Sequence, residues 1–211
     1  MPKIKNVRKL TENKYLNLYE IEAINKKNDA IKYFIASRKS KDKLALYGNY
    51  GADAVTVYGI YGVNRDKIVL VKQYRFAIDD FMYELPAGLI NDGETIEIAG
   101  KREFKEETGL DFHVAPVSNV FTQPYYTSSG MSDESIAIIY GYADGEISYK
   151  GLEDDEDLEI IIADKKEVVR ILTEEKVATM CMLMLQKFLM SNKDNVLDFT
   201  INDPGISKTL D

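Results

Sequence analysis

The sequence predicts an α/β domain preceded by an N-terminal extension of antiparallel strands, on three observations. Apolar runs of strand length recur along the chain, as in Ile68-Val69-Leu70-Val71. A helical stretch near residues 95–108, closed by Gly109, interrupts them, and further helical stretches follow only towards the end. No linker-like, repetitive or low-complexity segment separates these elements into independent domains.

Taken in order, residues 1–45 alternate short apolar stretches (15–21 and 31–36) with Lys/Asn turns, the pattern of antiparallel strands. Residues 53–61 and 67–73 form a second pair joined by a turn over 62–66. Glu84-Leu85-Pro86-Ala87-Gly88 reads as a loop-like breaker before the helix at 95–108, which Gly109 closes. Strands are expected at 112–121, 135–142 and 158–162, with a loop over 122–134. A short helix over 165–172 follows, and Thr173 is placed to cap a last helix running to about residue 191. The polar segment 192–211, with Pro204-Gly205, is expected to be a surface tail. The organisation is therefore 1–45 extension, 46–191 main domain and 192–211 tail.

Apolar residues make up 45% of the 211-residue chain, enough for a sizeable core, and no apolar run is long enough to span a membrane. The Lys-rich start has no apolar signal-peptide core, and a cytoplasmic location is the default expectation. One cysteine, Cys181, excludes an internal disulfide and a Cys/His zinc spacing. One histidine, His113, leaves no partner pattern for a Ser-His-Asp mechanism and reads as structural. A net charge of −8 argues against a general nucleic-acid surface, so a phosphorylated substrate needs cations to offset repulsion. Met180-Cys181-Met182-Leu183-Met184 reads as core or dimer packing, and the acidic run 153–159 as a solvated loop without EF-hand spacing.

The chemistry is concentrated on the helix at 95–108. At about 100° per residue, Glu107 lies about 40° and Glu106 about 60° to either side of Glu103. Lys101 and Lys105 lie nearly opposite, where Glu97 and Lys101 can form an i,i+4 pair. A salt-bridge-laced surface helix would interleave lysines among those glutamates. Like charges so clustered, in the C-terminal half of a helix, are unfavourable to both the pair energies and the dipole. A cation offsets both costs, and carboxylate oxygens suit Mg²⁺ or Mn²⁺.

The stretch Gly88-x5-Glu94-x7-Arg102-Glu103-Phe104-x-Glu106-Glu107-x-Gly109-Leu110 resembles the Nudix box, with Phe104 where an aliphatic residue is more usual. The resemblance implies a Nudix α/β/α sandwich over residues 50–190, with Glu103 and Glu107 as metal ligands and Glu106 as a further ligand or base. Arg102 would orient the glutamates by ion pairing. Gln73-Tyr74-Arg75, Glu84-Leu85-Pro86-Ala87-Gly88 and the strand-rich extension resemble the ADP-ribose pyrophosphatase group. That likeness implies the Ala87 carbonyl as another metal ligand, Arg75 on substrate phosphate and Glu84 in or near the substrate pocket. The loop Thr127-Ser128-Ser129-Gly130-Met131-Ser132-Asp133-Glu134 is similar to the group's Ser-Pro-Gly-x-x-x-Glu loop, with Ser129 in place of proline. It implies Glu134 as a catalytic glutamate, with Asp133 an adjacent rival.

The implied reaction is Mg²⁺-dependent (or Mn²⁺-dependent) hydrolysis of ADP-ribose to AMP and ribose 5-phosphate, with Glu134 or Glu106 accepting the proton. Another nucleotide sugar as substrate, or a non-catalytic nucleotide-binding sensor, are the alternatives; the intact glutamate set argues against the sensor. A homodimer through the N-terminal strands is also implied, and with it adenine contacts from Tyr15, Tyr19 or Phe34. Tyr125 and Tyr126 are either base-stacking or packing residues. Neither a nucleic acid nor a membrane is expected as a partner.

Overall fold

Strands buried on both faces must be apolar at successive positions, whereas half-exposed strands alternate. Both patterns occur here, in two different parts of the chain. The computed structural model describes residues 1–152, 157–192 and 195–201. It divides into two units, one of residues 1–53 and 124–136, the other of 54–123 and 137–211.

The first unit carries an antiparallel sheet of β1 (Lys3–Lys9), β2 (Asn17–Ile24) and β3 (Ala30–Ser37) in that order. The register pairs Val7 with Ile21 and Tyr19 with Ile35, so one face gathers Val7, Tyr19, Ile21 and Ile35 over Leu44. The opposite face carries Glu20 between Arg8 and Lys32 at 2.9 and 3.0 Å. The Lys-rich β1 has no apolar run of its own and draws its strand conformation from β2. Residues 124–136 contribute β9 (Tyr125–Tyr126), paired with Ser135 and Ile136.

The second unit is built on a sheet ordered β11 (Leu158–Ala163), β5 (Lys67–Arg75), β4 (Ala54–Tyr61), β10 (Ser135–Asp144) and β8 (Asp111–Val114). Along β6 (Asp80–Glu84) it pairs with β5, and along β7 (Ala87–Leu89) with β4. Period-2 alternation sends Val55, Val57, Val69, Val71 and Ile139 to one face, where α1 (Ile96–Thr108) lays Ala99 and Phe104 on them. Tyr58, Ile60, Ile68, Leu70 and Tyr140 line the other face, under α2 (Lys165–Glu174) and α3 (Thr179–Met190). This is an α/β/α sandwich, as the sequence predicts. Within α3, Cys181 and Leu185 are buried, with Met180 and Met184 partly buried against them, so the methionine-rich segment is core filler.

Several boundaries differ from the sequence expectation. The breaker at 84–88 contains a strand: Pro86 has no N–H, but its carbonyl accepts from Val57 N at 2.8 Å, and Ala87 pairs with Thr56. The strand expected over 112–121 stops at Val114, and residues 119–121 form a 3-10 turn. Thr173 is no cap; it lies inside α2, its hydroxyl donating to the Val169 carbonyl at 2.7 Å. The break comes later, where residues 176–178 bond the main chain of Tyr83 (Tyr83 N to Lys176 O, 2.8 Å; Ala178 N to Tyr83 O, 3.0 Å). The first part of the segment expected as a surface tail is not on the surface: Val196 and Leu197 are buried, and Phe199 of α4 (Asp198–Ile201) packs on Tyr58 and Tyr140. Pro204-Gly205, the rest of that tail and residues 153–156 of the acidic run lie outside the described residues. Among the described residues no helix is long and apolar enough to cross a membrane.

Candidate active site

The helix bearing the glutamates is held by local chemistry. The Thr95 hydroxyl accepts from Ile98 N at 3.2 Å, and Gly109 ends the helix at φ +73°, a left-handed conformation that suits glycine. Glu97 and Lys101 form the expected i,i+4 pair at 2.6 Å. Phe104 is fully buried, with Phe112 at 5.1 Å between ring centroids. Its size is accommodated by Gly59, where a Cβ would stand 2.8 Å from the ring.

That anchoring turns two carboxylates towards the segment before the helix. Glu107, only 4% exposed, accepts from the Ala87 amide at 3.1 Å. Glu103 lies directly against Gly88, so closely that a Cβ there would occupy the carboxylate's place. Arg102 grips the cluster from the other side. Its Nε and Nη2 donate to both oxygens of Glu94 at 2.8 and 2.9 Å, its Nη1 to Glu103 at 2.8 Å and Glu106 at 3.0 Å, and Nη2 also to the Leu89 carbonyl at 3.0 Å. Bidentate, charge-assisted bonding of this kind is the strong form of an ion pair. Glu94, which the sequence reading did not single out as a site residue, is thus the main seat of Arg102; its fixed spacing to Arg102 was the available signal. Hydrogen bonding from Arg102, with help from the Asn91 amide, holds the Glu94 carboxyl at about 2. The carboxylates in turn raise the Arg102 guanidinium, Glu94 foremost.

Hard oxygen donors drawn to one backbone segment, with a glycine cradle that a side chain would fill, fit a small divalent cation. Mg²⁺ needs only one or two protein carboxylates because it retains waters. Among the described residues no group of three or more Asp, Glu, His or Cys side chains is set to hold a metal, so the fit rests on Glu103 and Glu107 at the Ala87–Gly88 segment.

Arg75 and Glu84 come together, but with each other: Nε and Nη2 of Arg75 meet the two Glu84 oxygens at 2.6 and 2.7 Å across the β5–β6 hairpin. His113 is exposed and bonds Asp144 through Nε2 at 3.0 Å, a peripheral contact.

Within the first unit, Asp133 and Glu134 turn to different partners. The Asp133 side chain, 11% exposed, accepts from the Ala45 amide at 3.0 Å and faces Lys39 at 4.0 Å. The Glu134 side chain, 34% exposed, meets Arg38 Nε and the Thr127 hydroxyl, each at 3.3 Å. Tyr19 is fully buried, with its hydroxyl on the Lys39 carbonyl at 2.8 Å, so it is a packing residue unable to touch a base. Tyr15 and Phe34 remain exposed, and so does Tyr125. Tyr126 lines a cavity of about 220 Å³ opposite Tyr33 and Ile35.

The fold and the box geometry together define a Nudix protein, and the NUDIX domain model matches residues 52–178, so the chain belongs to that family. Among its relatives, the ADP-ribose pyrophosphatase of Saccharomyces cerevisiae is 35% identical over 95 residues, 44% of this chain and 41% of that one. A methanol dehydrogenase activator of Bacillus methanolicus is 32% identical over 128 residues, 59% of this chain and 64% of its own. The matches therefore span less than two thirds of either relative's length. A crystal structure of an ADP compounds hydrolase shares the fold with a TM-score of 0.61 at 17% identity, over 82% of this chain and 83% of that one.

Proposed function

We propose that this protein hydrolyses the diphosphate bond of ADP-ribose or a related nucleoside diphosphate sugar, giving AMP and ribose 5-phosphate, with Mg²⁺ or Mn²⁺ as cofactor. One observation carries the reading: Glu103 and Glu107 converge on the Ala87–Gly88 segment while Arg102 holds Glu103 and Glu106 in register. Glu103, Glu107 and the Ala87 carbonyl would hold the cation, with Glu106 as a further ligand or base. A cation there supplies charge neutralisation for the diphosphate and Lewis acidity. Water oxygen bonds to phosphorus as the P–O–P bridge breaks, and Glu134 or Glu106 accepts the proton. The Arg75 guanidinium binds substrate phosphate, which must compete with Glu84 for it; Glu84 in turn keeps Arg75 extended until then. The likeness to the yeast ADP-ribose pyrophosphatase supports ADP-ribose as leading substrate.

The exposed Leu18 and Phe34 of the N-terminal sheet support a homodimer formed through residues 1–45. The single, buried thiol of Cys181 is compatible with a cytoplasmic location.

The methanol dehydrogenase activator, a relative with a different role, matches more of the chain than the yeast enzyme does, 59% against 44%, which sets the breadth of the test. ADP-ribose, other ADP- and UDP-sugars, NADH and diadenosine polyphosphates are incubated with and without Mg²⁺ and the products identified. AMP with ribose 5-phosphate from ADP-ribose, only with the cation, is the expected result. Absence of turnover across the panel refutes the reading.

A further inference from the structure

The loop at 127–134 is fastened at its base and also at its tip. At the base, Thr127 N donates to the Glu134 carbonyl at 3.0 Å, and Ser128 O accepts from Met131 N and Ser132 N at 2.8 and 2.9 Å. The tip is held by the N-terminal sheet. Ala36 N, on the edge strand β3, donates to the Met131 carbonyl at 2.8 Å, and the Tyr33 hydroxyl donates to the Gly130 carbonyl at 2.6 Å. Asp133 adds its bond to Ala45 N, and Lys39 bridges Asp133 and Asp53. The loop thus completes the β3 edge, and an exposed edge strand is the natural template for such a segment.

One charged contact in this clamp reaches Glu134 itself. Arg38 follows β3 directly, and its Nε stands 3.3 Å from Glu134 Oε1, while the Thr127 hydroxyl meets Oε2. The two carboxylate oxygens are therefore held from two sides, which fixes the direction of the lone pairs that would receive a proton. Backbone bonds place the loop; Arg38 orients the carboxylate at its end.

We propose that Arg38 is a positioning residue for Glu134, so that the N-terminal extension tunes the chemical step through this side chain. The proposal rests on the reading of Glu134 as proton acceptor. Arg38 touches the carboxylate and not the reacting atoms, so its loss lowers kcat and leaves KM nearly unchanged. A half-exposed ion pair converts to about a two- to fivefold change in rate. Lysine, which keeps the charge, restores most of that loss.

The test is a double-mutant cycle in the full-length protein, with ADP-ribose and saturating Mg²⁺, using Arg38→Met, Arg38→Lys, Glu134→Gln and the Arg38→Met/Glu134→Gln pair. The expected result is a lowered kcat for Arg38→Met at unchanged KM and unchanged melting temperature, rescue by Arg38→Lys, and no further loss when Arg38→Met is added to Glu134→Gln. Full additivity of the two substitutions overturns the proposal, as does a kcat that rises in Arg38→Met, which would mean the pair restrains Glu134. A crippled Glu134→Gln beside an unaffected Arg38→Met overturns the positioning role alone. An unaffected Glu134→Gln overturns both the role and the reading it rests on.

Discussion

Replacing Gly88 by alanine isolates the cradle that receives Glu103. The added Cβ falls on the Glu103 carboxylate, its carbon and both oxygens more than about 1 Å inside normal van der Waals separation. Gly88 does not have positive φ, so alanine brings no backbone strain, and the terminal carboxylate is the part that must move. Moving it breaks the 2.8 Å bond from Arg102, a partly exposed pair worth about 0.2–1 kcal/mol. The gain from stiffening the unfolded chain, about 0.4–1 kcal/mol, offsets this. The melting temperature should therefore stay within about 4 °C of the parent. Rate behaves differently, because a displacement of about 1 Å at a catalytic group can cost about 10²-fold. Mg²⁺-dependent hydrolysis of ADP-ribose, followed by chromatography of AMP, should fall by about that factor while the fold persists. Full activity in Gly88→Ala would show that Glu103 does not work from its place against residue 88.

Glu103→Gln and Glu107→Gln should each lower turnover by about 10²–10³ without unfolding the protein, since each glutamine keeps an oxygen where the carboxylate accepted. Near-normal Mg²⁺-dependent rates in either variant contradict the metal assignment. Glu94 is held at about 2 by Arg102, below the ordinary glutamate value near 4.3. Its folded pKa being depressed, its stabilisation is complete above about 4.3 and is lost as pH falls through about 2. Melting curves of Glu94→Gln against pH should lack that acid limb, and an unchanged limb assigns it elsewhere. Tyr58→Phe should be neutral or raise the melting temperature, because the fully buried Tyr58 hydroxyl has no hydrogen-bond partner among the described residues. A fall of several degrees would reveal a partner. Light scattering should report a dimer for the intact chain and a monomer, or insoluble protein, for a truncation starting near Lys43. A monomeric intact chain ends that reading.

What was legible in the sequence is what short-range forces decide. The Glu97–Lys101 pair and the Gly109 terminus act within one turn of the residues that signal them, and the helix end follows; the Thr95 cap acts as locally but was not read. The box is legible for the same reason: Glu94, Arg102, Glu103, Glu106 and Glu107 lie on one helix and the loop before it, so spacing is geometry. Asp133 and Glu134, neighbours just ahead of β10, turn to different partners, as neighbours in extended chain do. Their partners, Ala45 and Arg38, lie 88 and 96 residues away and leave no local mark. The misreadings share that origin. Thr173 has the composition of a cap, but the helix break is set by the main chain of Tyr83, which captures residues 176–178. Val196, Leu197 and Phe199 sit in a polar stretch and are drawn in by a core built from distant segments, Phe199 against the rings of Tyr58 and Tyr140. Arg75 and Glu84, each assigned to substrate, meet although the β5–β6 register pairs Arg75 with Asp80 and Glu84 with Val71, because the long arginine side chain spans the four positions between them. A guanidinium already held by a carboxylate can exchange it for a phosphate without first being desolvated alone. Under the proposed function, a substrate phosphate at Arg75 would displace Glu84 from it.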